Sequence, residues 1–199
     1  MRAVRFAILL ATISALVACA TTVTPATVIR TRYNPDQEGF SRFLIISVAG
    51  DYATRASFER QLAAEITSDR VTASPYYTII GRNPQVTRDF IDNAINVRGF
   101  DAVLLTRQQG QEQESVSPGR PIGNQLDLFS FDYPEFNRDV QIRQAQAITF
   151  STELYSAAER RKVWSINTLS IDKSTAEDLI AEQVFTIATQ LRDDDLLGP

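Results

Sequence analysis

The chain has 199 residues, with no histidine and a single cysteine, Cys19. Those counts exclude an internal disulfide, a Cys/His zinc site, a Ser-His-Asp triad, a Cys-His dyad and a His-ligated haem. With 20 basic against 24 acidic side chains the net charge is -4, which argues against a nucleic-acid partner, because phosphate contacts need a basic surface.

The amino terminus reads as a targeting segment. Arg2 and Arg5 form a short basic stretch, and Phe6 to Ala18 is apolar apart from Thr12 and Ser14. As a helix that run spans roughly 20 Å, short of a hydrocarbon core of about 30 Å. It fits a secretory signal peptide, residues 1-18, better than a membrane span. The run ends in Leu16-Val17-Ala18-Cys19, which resembles the bacterial lipobox. The resemblance implies cleavage before Cys19 and acylation of its thiol. A secreted protein with a chance cysteine at this place is the alternative. Two or three acyl chains on one residue meet the requirement for stable anchoring, which one chain does not. Residue 20 is Ala, not the Asp that retains enterobacterial lipoproteins in the inner membrane. The resemblance therefore implies the outer membrane, periplasmic side.

Residues 19-41 read as the lipidated cysteine and a polar tether, with Pro25, Pro35 and a scatter of threonines. As a flexible coil it spans roughly 25 Å. Val28 to Tyr33 has a second reading, an edge strand on the domain. A single domain is expected over 42-199, long enough to bury a core.

Phe43 to Ala49 is a continuous apolar run, the pattern of a strand buried on both faces. A helix follows from about Thr54 to Asp69, with Phe58, Leu62, Ala63 and Ile66 on one face. Arg55, Glu59, Arg60 and Glu65 fall elsewhere, and the first two are spaced to pair on the surface. Tyr76 to Ile80, after Pro75, reads as a second strand. Asn83-Pro84 looks like a helix start, Val86, Phe90, Ala94 and Val97 carry the helical period with Ile91, and Gly99 reads as a left-handed cap. Phe100 to Thr106 is the third strand. Residues 42-106 thus form a βαβαβ unit with parallel strands.

Residues 107-125 are polar and turn-rich, a long surface loop. Phe129, Phe131, Tyr133 and Phe136 then crowd together. They read either as a strand covering the sheet or as an aromatic surface that docks on a partner. Val140 to Tyr155 alternates, with Val140, Ile142, Ile148, Phe150 and Leu154 inward and Gln141, Arg143, Thr149, Ser151 and Glu153 outward. A charged turn at 158-162 leads to the return strand Val163 to Ile171, which completes a long antiparallel hairpin. Ser174 with Glu177 reads as a capping box. Ile180, Val184, Ile187 and Leu191 form the stripe of a C-terminal helix, widened by Leu179 and Phe185. Asp193-Asp194-Asp195 ends it as a solvated tail. The fold class is α/β: a mixed sheet flanked by helices.

No nucleotide-binding glycine motif and no nucleophile elbow is present in the sequence. No cofactor and no metal is expected. The Gly50-Asp51 loop leaves room for a small acidic ligand at the helix start. Ser170 and Lys173 have the SxxK spacing of some acyl enzymes but lack its companion motifs, and read as coincidence. Asp127, Asp132 and Glu135 lie among aromatics, the one set that carboxylate-only hydrolysis would use. Asp101, at a strand start, reads as an acceptor for backbone N–H groups of a neighbouring loop.

The strand Phe43 to Ala49, the helix carrying Arg55, Phe58 and Glu59, the strand Gly99-Phe100-Asp101-Ala102-Val103-Leu104 and Val163-Trp164-Ser165 on the hairpin together resemble the TolB amino-terminal domain type. That type also occurs in the curli secretion lipoprotein CsgG and the penicillin-binding-protein activator LpoB. The likeness covers residues 42-192 and transfers no binding residue. It implies a lipid-anchored, non-enzymatic envelope adaptor, with an envelope protein or peptidoglycan-associated partner. An oligomeric secretion or surface-organelle subunit of the CsgG type is the alternative. Gln144 and Gln146 on the apolar parity of the hairpin disfavour a membrane-spanning strand.

Overall fold

A computed structural model describes residues 24-33, 38-48, 51-80, 87-109 and 147-198. The apolar run expected to be buried on both faces is strand β2 (Arg42–Val48), with β1 (Thr27–Tyr33) before it. Helix α1 (Tyr52–Ile66), strand β3 (Thr72–Pro75), helix α2 (Tyr77–Ile80), helix α3 (Arg88–Arg98) and strand β4 (Ala102–Gln109) follow. The hairpin is β5 (Ala147–Ser156) with β6 (Arg161–Ile171), and helix α4 (Ala176–Asp193) follows. The six strands form one mixed sheet in the order β1-β6-β5-β4-β2-β3. β2 pairs in parallel with β3 and β4, as the βαβαβ pattern requires, while β4, β5, β6 and β1 pair antiparallel in succession.

Alternation along β2 divides the core. Phe43 and Ile45 point to one face, where α1 and α4 bring Phe58, Leu62, Ile66, Ile180, Val184, Ile187 and Leu191. Leu44 and Ile46 point to the other, against Ile91, Ala94 and Ile95 of α3. Such burial on both faces is what a parallel α/β sheet asks of its central strand.

Several local expectations shift. Tyr76 to Ile80 is not the second strand; β3 ends at Pro75 and Tyr77–Ile80 is a helical turn. The aromatic and β-branched side chains serve packing instead, with Tyr76 fully buried and set edge-on to Phe90 at 5.6 Å. The α3 N-cap is Thr87, whose side chain accepts from the Phe90 N–H, and Asn83, Pro84 and Val86 lie outside the described residues. Gly99 is the left-handed cap, at φ 66°. Val97 and Phe185 leave their expected stripes and are exposed. The α4 cap falls one residue later than the Ser174 box, at Thr175, which accepts from the Asp178 N–H. Ile148, Phe150 and Leu154 point inward, yet Ser151 and Glu153 on the other face of β5 are buried too, so the strand is not half-exposed. Val140 and Ile142 lie outside the described residues.

Both flanks of the described domain are built in. Residues 27-33, within the expected tether, adopt the edge-strand alternative and pair with β6. The acidic tail is not frayed. Phe40 N–H donates to Leu196 O at 2.9 Å, Gly198 N–H donates to Phe40 O at 2.8 Å, and Leu196 is fully buried. Gly39 allows this approach, since a Cβ there would lie 2.3 Å from Gly198 O. Gly39→Ala is therefore expected to push the tail off Phe40 and cost roughly 1–3 kcal/mol, as overpacking does. Urea unfolding of the variant beside the wild type checks this, and equal midpoints refute it.

Candidate functional site

Several sequence-level candidates lie outside the described residues: Cys19 with Leu16, Val17 and Ala18, the aromatics Phe129, Phe131, Tyr133 and Phe136, and the acids Asp127, Asp132 and Glu135. The remaining candidates gather at the two ends of the sheet.

At one end, β2, β3 and β4 reach their carboxyl ends, β6 ends, and β5 and β1 begin. In open α/β sheets this is the side where ligands bind, beside the strand from which successive crossovers diverge. Here a cleft lies between the ends of β2 and β4, lined by Val48, Phe58, Thr106, Phe150 and Leu179. Its volume of about 20 Å³ has room for a water-sized molecule. Asp51 caps α1 at the same end, accepting from the Thr54 N–H at 2.9 Å and the Thr54 hydroxyl at 2.7 Å. The Thr54 N–H, more than any other group, holds its carboxyl below the usual range. The helix start expected to admit an acidic ligand is thus already served by a carboxylate of its own.

Glu59 is the residue that sequence reasoning misplaced. It is not paired on the surface with Arg55 but fully buried, next to Phe58 on the inner face of α1. The cause lies in the sheet. β3 stops opposite Ile45, where Tyr76 N–H still donates to Ile45 O at 2.9 Å. The next N–H of β2 on that side, that of Ser47, has no strand to pair with. Glu59 Oε1 accepts it at 3.0 Å, and Oε2 accepts the N–H of Tyr77 at 2.8 Å, at the start of α2. One carboxylate thereby closes a strand end and caps a helical turn. Burial pushes Glu59 up to about 7, against the opposing pull of the Ser47 and Tyr77 N–H groups and the Arg55 charge. The Arg55 Nε and the Tyr76 hydroxyl are buried nearby without hydrogen-bond partners, and both charges act on Tyr76, whose hydroxyl burial pushes well above its ordinary range.

A polar layer joins α4 to β6. Ser170 Oγ donates to Glu182 Oε2 and accepts from Gln183 Nε2 at 2.7 Å, and Gln183 Oε1 accepts from Thr168 Oγ1 at 2.6 Å. Lys173 Nζ pairs with Glu182 Oε1 at 2.8 Å. The SxxK pair is therefore bridged through a carboxylate, with its serine 2% exposed and out of substrate reach. The layer extends to the amino terminus, because Thr186 Oγ1 accepts from the Ala26 N–H at 2.8 Å.

Elsewhere carboxylates again finish backbone or side-chain donors. Asp101 accepts from the Ser41 N–H, the Ser41 hydroxyl and the Arg42 N–H, the role its strand-start position suggested. Buried Glu153 accepts from Lys162 Nζ at 2.8 Å, Arg107 at 3.3 Å and the Tyr155 hydroxyl at 2.8 Å. Asp194, expected in a solvated tail, accepts from the Trp164 indole N–H at 2.7 Å. No group of three potential metal ligands occurs among the described residues, and no described helix is long and apolar enough to cross a membrane.

No family model matches the chain, and no curated protein matches it either. Solved structures resemble it in fold. A PelC dodecamer from Paraburkholderia phytofirmans is 12% identical, with 87% of this chain and 99% of that one covered, at a TM-score of 0.47. Lipoprotein GNA1162 from Neisseria meningitidis is 11% identical, with 77% and 97% covered, at a TM-score of 0.41. Protein XCC0632 from Xanthomonas campestris is 12% identical, with 89% and 93% covered, at 0.31.

The Glu59 environment makes stability depend on pH. Its folded value near 7 lies above the 4.5 of a free glutamate, so the folded state holds the proton more tightly. The stabilisation from this group is complete below about 4.5 and is lost as pH rises through 7, in total roughly 3 kcal/mol. Glu59→Gln removes the titration, and its thermal midpoint should fall less than that of the wild type between pH 5 and pH 8 (about the range the two values bracket). Parallel midpoints across that range would count against the assignment.

Proposed function

We propose that this chain is a lipid-anchored lipoprotein of the bacterial cell envelope, held on the periplasmic side of the outer membrane. Its α/β domain acts through its surfaces as a non-enzymatic adaptor or structural subunit. The observation that carries the reading is the placement of Leu16-Val17-Ala18-Cys19 at the end of a short apolar run. The domain then starts close behind it. Only residues 20-25 separate Cys19 from Ala26, whose N–H is already bound to α4. That stretch reaches at most roughly 25 Å, so a domain anchored at Cys19 stays beside the membrane.

The second reading, an oligomeric secretion or surface-organelle subunit, is favoured by one feature. Among the described residues β1 is an end strand of the sheet, with no strand paired along its outer side. Ring-sized particles in detergent would support that reading, and a strictly monomeric species by light scattering would end it.

The anchor is tested by metabolic labelling with a clickable fatty acid. The wild type is expected to take up label and fractionate with membranes, and Cys19→Ala to take up none and appear in the soluble fraction. An unlabelled wild type overturns the anchor. The adaptor role is tested by crosslinking in cells. Specific recovery of an envelope protein or peptidoglycan is expected, and recovery of neither removes the role.

A further inference from the structure

The exposed apolar side chains are unevenly distributed. Six large ones are exposed among the described residues: Val28, Ile29, Tyr52, Val97, Ile171 and Phe185. Val28 and Ile29 stand in the first residues of β1, and Ile171 is the last residue of β6, beyond the Thr27–Leu169 pair. Tyr52 opens α1, just past the end of β2. Because β1 begins where β2 and β6 end, all four share one end of the sheet. Phe185 lies midway along α4, and Val97 lies at the opposite end, in the last turn of α3 before Gly99.

The same end is where the chain leaves toward Cys19. Ala26 is fixed there, and residues 20-25 are too short to carry the anchor round to another side of the domain. Ile29, at 55% exposed, and Ile171, at 53%, present branched aliphatic surface to water on the neighbouring strands β1 and β6. Tyrosine with an apolar body and a polar tip suits a membrane–water boundary. Among the described side chains, the charges exposed around these groups are acidic, namely Asp51, Asp172, Glu177 and Asp178, while Lys173 is engaged by Glu182 and the half-buried Arg55 lies over the Tyr52 ring at 5.6 Å. Acidic neighbours favour zwitterionic over anionic lipid.

We propose that this end of the sheet, through Val28, Ile29, Ile171 and Tyr52, seats on a zwitterionic lipid surface and holds the domain in one orientation on the membrane. The proposal rests on the lipid-anchor reading above. It goes beyond that reading, because a lipidated domain with no seat would tumble freely at the end of its tether.

The test uses the lipidated full-length chain. An acylated Cys19 has no free thiol, so one introduced cysteine is the sole attachment point for a fluorophore. Ile171→Cys and Val97→Cys are labelled and reconstituted into phosphatidylethanolamine–phosphatidylcholine vesicles with and without brominated acyl chains. The label at 171 is expected to lose most of its fluorescence to the bromines and to shift to the blue, while the label at 97 does neither. Ile29→Cys repeats the measurement should Ile171→Cys fail to give the wild-type circular dichroism spectrum. Flotation of the vesicles separates the two claims, since protein that does not float refutes the anchor. Protein that floats with equal, weak quenching at both positions overturns the seat. So does shielding of 171 that grows with protein density and ignores bromine, which marks a second copy on this patch.

Discussion

Every backbone N–H of β2, the middle strand of the parallel set, must find an acceptor, and β2 is longer than the partner on one of its sides. This constraint organises much of the molecule. An orphaned N–H inside a protein costs about as much as a lost hydrogen bond, so the strand cannot simply run on. Glu59 closes the carboxyl end of β2 through Ser47, and Asp101 closes its amino end through Ser41 and Arg42. For Glu59 to reach Ser47, α1 must turn its Phe58–Glu59 edge inward, which also sets Leu62 and Ile66 against the sheet. The rotation of α1 therefore follows from a backbone requirement as well as from its apolar stripe. The expense of burying a carboxylate is only partly offset by the N–H groups it serves and by the Arg55 charge, and the net cost shows in its raised proton affinity.

The α4 side of the sheet repeats this logic with side chains. Thr168 and Ser170 of β6 face the helix from positions that a wholly apolar core would give to aliphatic groups, and Glu182 and Gln183 answer them. Each group in this layer has a partner, the condition under which buried polar contacts specify one packing instead of weakening it. A one-residue slip of α4 would leave several of these groups unpaired. Thr186, one turn further along, holds Ala26, so the placement of α4 also decides where the amino-terminal strand begins. The path from core packing to the placement of the amino-terminal strand is thus short and runs through named hydrogen bonds.

Much of the architecture was legible because it depends on local pattern. Two-faced apolar runs announced the parallel strands, alternation announced the hairpin, and Gly99 marked a helix end. The role of Asp101 was readable from its place at a strand start. Glu59 was not readable, because its four-residue spacing from Arg55 is the usual signature of a surface pair. What buries it is the early end of β3, a tertiary event with no trace inside α1. The same event misled the reading of Tyr76 to Ile80. Their β-forming side chains are used for packing, while the backbone turns under the Glu59 carboxylate. Asp194 hid in an acidic run that looks like solvated tail, and only the approach of Trp164 distinguishes it.

The edge-strand reading of residues 28-33 has the largest functional consequence. A tether of the length first expected behaves as a flexible coil and lets a domain sample many orientations. With β1 in the sheet, only residues 20-25 separate Cys19 from the first fixed hydrogen bond. If the anchor and the seat proposed above both hold, freedom lost in the tether becomes orientation gained by the domain. The end bearing Gly99 and Val97 is then held roughly 40 Å from the bilayer, about the diameter of a domain of this size. On that proposal a partner approaching from the periplasm would meet that end and the helical faces first, and the carboxyl ends of the parallel strands would turn toward lipid. A surface that acts by position needs neither a thiol nor an imidazole, and the described body contains neither.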